Sequence, residues 1–522
     1  MSKKESTGKA TKATLAVTMI IIISKLAGLV REAIVAAYYG TGMEMDAYSS
    51  AYSLYYIPIL LFNSCITSTM IPLYSESMSD RGIDRANEFA SNVVNLFALF
   101  ALALSAVMFL AADPLAALFY HGFSAEKHAL TVHLTRIMMP SLMFIVISIV
   151  VASILNAREK YMAAQLTGFP LTIAVVAATV LFSEKYGIQA IAWGVGAAAV
   201  LQIIILMPFT RNTFRYSMRL SLKDERFRRL VVLAVPAMLS MAVNELNHMV
   251  DKMLAAPLPD GNMAVIDYAS RLLTFVTGIL VVPLVTVTFS RMSKTAAAHD
   301  TPGVGKICMD CTETMSMFIL PIMAILIVLS PDVIRAAYMR GNFDEASVAL
   351  TAPVFAFYMV GVLGFGLRDL VTRAFNAIKD TRTPMIVAIV SVVLNIILDV
   401  AMVQSMGING LALATSIAAT TGALTLFILL KRRIGAIPVR RMLIEIGKMA
   451  IAAVFSAAAC VFLKNAMPTA QTWWQSVIHL GICALCAGAV YIGATLIAGV
   501  KQMRAIMTAL GKLIAKRLHK GV

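Results

Sequence analysis

Residues 13–32 read ATLAVTMIIIISKLAGLVRE, an apolar run long enough to cross a bilayer that nevertheless contains Lys25 and Arg31. A third cation, Arg271, also lies within a long apolar stretch. A charge in hydrocarbon costs several kcal/mol, so such residues usually face a water-filled cavity or a charged partner. Three cations in apolar segments therefore favour a cavity for an anionic substrate. The alternatives are local ion pairs, with Glu32 for Arg31 and with Asp267 for Arg271.

The composition is typical of a membrane protein. The chain has 522 residues, 59% of them hydrophobic and 14% charged, and its mean hydropathy is +0.81. Average usage is nearer 25% charged residues. About fourteen apolar runs of roughly 20 residues recur along the chain, which predicts an all-α polytopic membrane protein. The first run lacks a small-residue cleavage site, and we expect a retained helix there and not a signal peptide.

The net charge of +16 is concentrated in alternate loops, among them residues 211–229, 291–306 and 431–441 and the tail after Lys501. By the positive-inside rule these loops are cytoplasmic, which predicts an even number of spans and two cytoplasmic termini. We expect this basic surface to contact anionic lipids of the inner leaflet, and not nucleic acid. The six cysteines lack zinc-ligand spacing and imply no disulfide framework.

An internal repeat indicates two similar halves. Asn156 and Asn376 lie in similar tripeptides before a basic turn and a Pro-containing apolar span, and equal distances lead from them to Gly187 and Gly407. Six spans return a chain to its starting side, so the halves are expected to run parallel. The predicted organisation is a six-helix lobe at 1–219, a basic linker at 220–229, a six-helix lobe at 230–432, helices 13 and 14 at 433–500 and a basic amphipathic tail at 501–522.

Several of these segments resemble the MurJ-type (MviN) lipid II flippases. The matching segments are Ser24 to Glu32, Met45-Asp46-Ala47-Tyr48 and Tyr268-Ala269-Ser270-Arg271-Leu272. That family belongs to the multidrug/oligosaccharidyl-lipid/polysaccharide exporter superfamily. The resemblance covers nearly the whole chain, including the two extra C-terminal helices that distinguish the family from its twelve-helix relatives.

The resemblance implies a transporter and not an enzyme. It implies that undecaprenyl-pyrophosphate-linked peptidoglycan precursor moves from the inner to the outer leaflet of the bacterial cytoplasmic membrane by alternating access. Helices 13 and 14 would form a groove for the lipid tail. We expect a monomer, with cell-wall synthesis proteins as possible partners. The substrate-binding residues that the resemblance implies are Ser24, Lys25, Arg31, Glu32, Asp46 and Arg271.

The sequence departs from the family in the second helix. Many members carry an arginine pair and a glutamate midway along it, whereas residues 56–63 here read YIPILLFN. Lys25 also stands where many members have arginine, which keeps the charge but loses the bidentate fork suited to phosphate. Either the headgroup is held by fewer charges in this chain, or the substrate differs.

A cation site is a further expectation. Asn395 and Asp399 are four residues apart and face one side of a helix, and with Asp251 and Thr415 they offer the oxygen ligands that hard cations prefer. The resemblance implies a sodium site at these four positions, with the Leu411 carbonyl as fifth ligand. Otherwise Asp251 neutralises Lys252 and Asn395 joins helices. Proton relay through Glu245 and His248 is the other coupling open to the chain. No other cofactor is expected.

Three other functions stay open. A flippase for another polyprenyl-linked glycan is consistent with the missing second-helix arginines. A cation-coupled multidrug antiporter would normally stop at twelve helices and line its pocket with acids. A membrane transferase is disfavoured because none of the seven histidines lies beside a nucleophile or a carboxylate cluster.

Overall fold

The computed structural model describes residues 3–211, 213–435, 439–468 and 473–508, with side chains from Met19 onward except at 236–237, 239–244 and 246. These residues form helices and connecting loops, with no strand among them. Ten of the described helices are long and apolar enough to cross a membrane, or up to eleven if one bent pair counts as a single span. The all-α multi-pass class is thereby confirmed, whereas the count of about fourteen helices stays a prediction.

The chain divides into two compact units. The first comprises Met1–Ala264 and Arg340–Phe343, and the second comprises Val265–Met339 and Asp344–Val522. The helices up to the end of the first unit are α1 (Lys3–Tyr39), α2 (Met43–Leu110), α3 (Ala112–Phe119), α4 (Ala125–Met138), α5 (Leu142–Ala157), α6 (Tyr161–Gln165), α7 (Phe169–Tyr186), α8 (Gln189–Thr210) and α9 (Glu225–Ala255).

The helices of the second unit begin with α10, which starts just before the boundary. They are α10 (Asn262–Leu280), α11 (Val282–Ala297), α12 (Thr301–Val328), α13 (Ser330–Tyr338), α14 (Glu345–Val360), α15 (Val362–Ala377), α16 (Arg382–Met406), α17 (Ile408–Ile434), α18 (Val439–Ala466) and α19 (Trp473–Ile497). Residues 501–508 are also helical. The rest of the predicted amphipathic tail, 509–522, lies outside the described residues.

The 68-residue element α2 is two helices joined at Gly82. The backbone there has φ 77° and ψ 174°, a conformation that glycine adopts without the steric penalty of a Cβ atom. Asp80, Arg81, Asp84 and Arg85 surround the break. These charged residues place the turn between the two apolar parts of α2 at a polar surface.

The basic linker before α9 is held in a non-helical conformation by asparagines of α2. The Asn92 amide donates to the Ser221 carbonyl at 2.9 Å and accepts from the Ser221 amide at 2.6 Å. Asn95 donates to the Arg219 carbonyl at 2.8 Å. Because these bonds satisfy backbone groups that have no helical partner, the linker is docked on α2 over residues 219–221.

Helices α18 and α19 pack on α12 in the second unit. Their shared core includes Met317 of α12, Met449 of α18 and Tyr491 of α19, all buried. Val500 and Met503 join the same cluster, so the chain after α19 folds back onto this core. The two helices that the sequence sets apart from the repeat are therefore anchored to α12.

Glycines let α15 approach α17 closely. α14 and α15 meet at a 40° bend, with Gly361 between them. A Cβ atom on Gly361 would lie 2.7 Å from the Cα atom of Ser416, and one on Gly364 would lie 2.8 Å from the Cα atom of Thr420. Small residues at such crossings allow the backbones of membrane helices to come into contact.

Gly364→Ala should therefore destabilise the protein, because the added methyl meets backbone atoms of α17 that cannot rotate away. We expect a loss of about 1–3 kcal/mol, which is typical of overpacking. The measurement is thermal unfolding of the purified protein in detergent. Gly447→Ala on α18 is the matched control, since nothing lies within 4 Å of a Cβ atom there. Equal melting temperatures for the two variants would contradict the close packing of α15 on α17.

Candidate functional site

The predicted binding residues of α1 differ in exposure. Ser24, Arg31 and Glu32 are half-buried, and Lys25 is exposed. Arg31 Nη2 lies 2.5 Å from Glu32 Oε1, with side chains 12% and 13% exposed. The local ion pair considered as an alternative for Arg31 is thus formed. A guanidinium has five N–H donors, so it can contact more than one acceptor at a time.

The other predicted binding cation, Arg271, belongs to the second unit. It is exposed on α10, one turn after the half-buried Asp267. The predicted set is therefore divided between the units, five residues in the first and Arg271 in the second. Its role in binding stays a prediction.

Asp46 lies at the centre of a buried ion cluster in the first unit. Its carboxylate is 0% exposed and accepts from Lys127 Nζ at 2.8 Å. It also accepts from the backbone amides of Gly261 and Ala264, both at 2.8 Å. Lys127 Nζ donates a second bond, at 3.0 Å, to Asp260. The cluster joins the start of α2 to the start of α4 and to the loop that leads into α10.

The sequence analysis did not identify the role of Lys127. The side chain is only 3% exposed, and its ammonium lies 4.4 Å from the centroid of the Phe123 ring. The residue it pairs with is 81 positions away, and no local pattern signals a contact of that range. A buried lysine is rare without a partner, so the pair became visible only in the fold.

Lys252 has partners beyond its neighbour Asp251. Its ammonium donates to the hydroxyls of Ser49 and Ser53, both at 2.8 Å, and its side chain is buried. These serines lie one turn apart on α2. The Lys252 side chain thus links α9 to α2, whereas the sequence analysis considered only its pairing with Asp251, as the alternative to a cation site.

The predicted cation ligands also fall in both units. In the second unit, the Asn395 amide donates to Asp399 Oδ2 at 2.7 Å, and both side chains are buried. On α17 the half-buried Thr415 hydroxyl donates to the Leu411 carbonyl at 2.9 Å. Asp251, 2% exposed, belongs to the first unit. These neutral and carboxylate oxygens are the ligand type that hard cations prefer.

Two further observations concern ionisable side chains. Of the proposed proton-relay pair, Glu245 is half-buried and His248 is exposed. Over the residues that the structure describes, no group of three His, Cys, Asp or Glu side chains is arranged to hold a metal ion.

The turn before α16 is ordered by Asp380. Its carboxylate accepts from the Thr383 backbone amide at 3.1 Å and from the Thr383 hydroxyl at 2.8 Å. These bonds favour the ionised form and lower the pKa of Asp380 below its usual value. The basic turn that follows Asn376 in the repeat is therefore held at the start of α16 by the Asp380 carboxylate.

A cavity of about 340 Å³ lies inside the first unit, walled by α2, α5, α6 and α8. Tyr52 and Tyr56 of α2 are stacked on its wall, with ring centroids 5.7 Å apart and planes 15° apart. The Tyr55 hydroxyl lies 2.7 Å from Ser141 Oγ. Tyr48, Tyr52, Tyr55 and Tyr56 follow helical spacing, a sequence signal that could have found this aromatic face.

One further membrane cation was missed. Arg368 is half-buried in α15, and its guanidinium carbon lies 5.9 Å from the centroid of the Phe365 ring. Its neighbour Asp369 accepts from Arg373 at 3.1 Å. The sequence analysis did not single out Arg368.

Lys127→Met should destabilise the protein by about 3–5 kcal/mol, because it leaves the buried Asp46 carboxylate without a countercharge. The double variant Asp46→Asn, Lys127→Met should recover part of that loss, since it removes both charges together. Thermal unfolding of wild type, of each single variant (Lys127→Met and Asp46→Asn) and of the double variant measures the coupling between the two residues. Lys185→Met, at an exposed lysine on α7, is the control and should change stability by less than about 0.5 kcal/mol. Additive losses in the double variant would contradict the pairing.

Comparison with known proteins places the chain in a family. The model of the family described as lipid II flippase MurJ matches residues 35–482. A Rhizobium meliloti protein named a probable lipid II flippase MurJ is 28% identical over 482 residues, covering 90% of each chain. The lipid II flippase MurJ of Thermosipho africanus is 29% identical over 410 residues, covering 78% of this chain and 83% of its own.

Solved structures of related proteins superpose on this chain. A lipid II flippase MurJ in an inward closed conformation superposes with a TM-score of 0.78 at 26% identity, over 92% of this chain and 100% of that one. An inward-facing multidrug transporter of the MATE family superposes with a TM-score of 0.71 over 81% of this chain and 98% of its own, and its 15% identity supports the fold alone. The family model covers most of the sequence, and the chain belongs to the MurJ lipid II flippase family.

Proposed function

We propose that this protein is a lipid II flippase. It moves undecaprenyl-pyrophosphate-linked peptidoglycan precursor from the inner to the outer leaflet by alternating access. The observation that carries the proposal is the half-buried Arg31 in the first apolar helix of a chain that the MurJ family model covers over residues 35–482. Arginine in such a helix needs an anionic partner or water, and the substrate of the family is a pyrophosphate lipid.

The pyrophosphate explains why cations are needed. It carries about two negative charges, and moving it unpaired through hydrocarbon would be prohibitive. Arg31, Lys25 and Arg271 supply countercharge and charge-assisted hydrogen bonds. Ser24 and Glu32 orient them, because a serine hydroxyl accepts from an ammonium and Glu32 already contacts Arg31. Asp46 is proposed to complete the set by fixing the start of α2.

The finer architecture belongs to the same proposal. The chain has fourteen membrane helices arranged as two parallel six-helix halves, 1–219 and 230–432, with helices 13 and 14 holding the lipid tail. It resides in the bacterial cytoplasmic membrane as a monomer with both termini inside, and its basic loops contact anionic lipids and cell-wall synthesis proteins. The alternation of basic and sparsely charged loops supports this orientation.

A monovalent cation is proposed to drive the cycle. Asp251, Asn395, Asp399, Thr415 and the Leu411 carbonyl are its ligands, and sodium is the expected ion. The support is the donor set, in which carboxylate, amide, hydroxyl and carbonyl oxygens occur without nitrogen or sulfur ligands. A proton gradient is the competing energy source.

A flippase for another polyprenyl-linked glycan is the second candidate. The observation that favours it is the second helix, where residues 56–63 carry no charge and the cavity beside them is lined by tyrosines and neutral polar groups. Such a cavity can bind a neutral glycan, and its described lining does not restrict that glycan to the one carried by the peptidoglycan precursor.

Expression in cells depleted of their own lipid II flippase tests the substrate. Wild type should restore growth, and the double variant Arg31→Ala, Arg271→Ala should fail, because the pyrophosphate then lacks two countercharges. Membrane levels of both proteins are measured by immunoblot. Arg228→Ala, at an exposed arginine of α9, is the matched control and should still rescue. Failure of well-expressed wild type would point to another glycan, and rescue by the double variant would remove the two arginines from substrate binding.

Asp399→Asn should abolish stimulation of lipid II flipping by an inward sodium gradient. The substitution removes one negative charge from the buried Asn395–Asp399 pair while keeping its shape. Flipping is followed in proteoliposomes with sodium or potassium as the imposed gradient. Asp310→Asn, at an exposed carboxylate of α12, is the control and should keep the stimulation. Wild type that responds only to a pH gradient would show that protons are the coupling ion.

A further inference from the structure

The tyrosine cavity of the first unit is built for an uncharged polar ligand. Its lining within the described residues contains no Asp, Glu, Lys, Arg or His, although it carries side-chain amides and hydroxyls on several helices. An anion would find no countercharge there, and a cationic drug would find no carboxylate. A purely apolar ligand such as a lipid tail would leave the polar groups unsatisfied.

One buried polar group of the lining lacks a hydrogen-bond partner within the described residues. The Ser153 hydroxyl, on a side chain 1% exposed, makes no hydrogen bond to any described residue. Asn156 and Gln165 line the same cavity with half-buried side-chain amides. Ser148 Oγ lies 2.7 Å from the Gln202 side-chain oxygen and 2.8 Å from the Ile145 carbonyl oxygen, and its single proton serves one of the two. Buried polar groups are normally satisfied, so the open Ser153 hydroxyl, in a cavity that also carries several side-chain amides, indicates a ligand or water.

The stacked tyrosines narrow the ligand class. Tyr52 and Tyr56 lie one turn apart on α2 with nearly parallel rings, whose faces are electron-rich and whose edges are electron-poor. A pyranose ring has one face composed of polarised C–H groups, which such aromatic rings attract, while its hydroxyl and acetamido groups need amide and hydroxyl partners. The cavity of about 340 Å³ lies at the small end of the range of roughly 300–1,000 Å³ for ligand sites.

We propose that this cavity is a sugar-binding subsite, in which Tyr52 and Tyr56 stack on an N-acetylhexosamine ring and Ser153, Asn156 and Gln202 bind its polar substituents. The inference rests on the proposed function for the identity of the sugar, which is then part of the lipid II headgroup. The subsite recognises the neutral glycan, and the membrane cations bind the pyrophosphate. The uncharged stretch of α2 around Tyr52 and Tyr56 is then the part of the site that binds the sugar.

Purified protein in nanodiscs tests the subsite with two lipids that differ only in the headgroup, lipid II and undecaprenyl pyrophosphate. Wild type should bind lipid II about ten-fold more tightly, equivalent to about 1.4 kcal/mol. Tyr52→Ala, Tyr56→Ala should lower lipid II affinity to that of undecaprenyl pyrophosphate and leave the latter unchanged. Tyr52→Phe, Tyr56→Phe should recover most of the loss, because the rings are kept. Tyr186→Ala, at an exposed tyrosine of α7, is the matched control.

A second, smaller substitution tests the subsite in case the double alanine variant does not fold. Ser153→Ala removes only the open hydroxyl and should weaken lipid II binding about five-fold, with undecaprenyl pyrophosphate unaffected. The subsite is overturned if wild type binds both lipids equally, if the alanine variants leave lipid II affinity unchanged, or if they weaken both lipids alike.

Two outcomes distinguish a failure of the proposed function from a failure of the subsite. If wild type does not support growth of flippase-depleted cells but binds the free N-acetylglucosamine disaccharide in a manner that needs Tyr52 and Tyr56, the subsite stands and the substrate is another glycan. If growth is restored by wild type and equally by the alanine variants, and lipid II affinity is also unchanged in them, flipping stands and the subsite falls.

Discussion

The cost of placing a charge in hydrocarbon is the constraint on which the rest of this structure depends. In the first unit, Arg31 lies against Glu32, Lys127 between two aspartates, and Lys252 on two serine hydroxyls. Buried pairs of this kind add little net stability, because desolvation offsets the attraction between the charges. Their effect is to specify which helices meet and in which register, since breaking any pair leaves an uncompensated charge.

The Asp46 cluster shows how this constraint positions the neutral cavity. Asp46 ties the start of α2 to α4 and to the loop before α10, because its carboxylate accepts from Lys127 and from the backbone amides of Gly261 and Ala264. A fourth hydrogen bond of the cluster runs from Lys127 to Asp260. Tyr52 and Tyr56 lie two to three turns further along the same helix. An anchored helix start fixes the axial rotation of those turns, and rotation decides whether the tyrosines face the cavity. The charged cluster and the uncharged cavity are therefore linked through one rigid helix.

Much of this could be predicted from the sequence, because hydrophobicity and charge are properties of single segments. Apolar runs predicted the all-helical membrane class, and cations within them pointed to an anionic substrate. The pairing of Arg31 with Glu32 was readable as an alternative because the residues are adjacent. The pairing of Asp46 with Lys127 was not, since it depends on how α4 returns to α2. The tyrosine row had a helical period, but only the fold shows that Tyr52, Tyr55 and Tyr56 line a cavity and that the Tyr55 hydroxyl also meets Ser141.

The uncharged stretch of α2, residues 47–75, suggests that charge and shape have separate roles in substrate recognition. A cation attracts any pyrophosphate lipid at long range and with little regard to what is attached to it, so it provides affinity without discrimination. Aromatic faces and amides act only at contact. A ligand that leaves the amides unpaired incurs their full desolvation cost, so these groups discriminate between glycans. On this proposal, a chain that keeps Lys25 and Arg31 but carries Tyr52 and Tyr56 on an uncharged stretch of α2 shifts part of its recognition from the phosphate to the glycan.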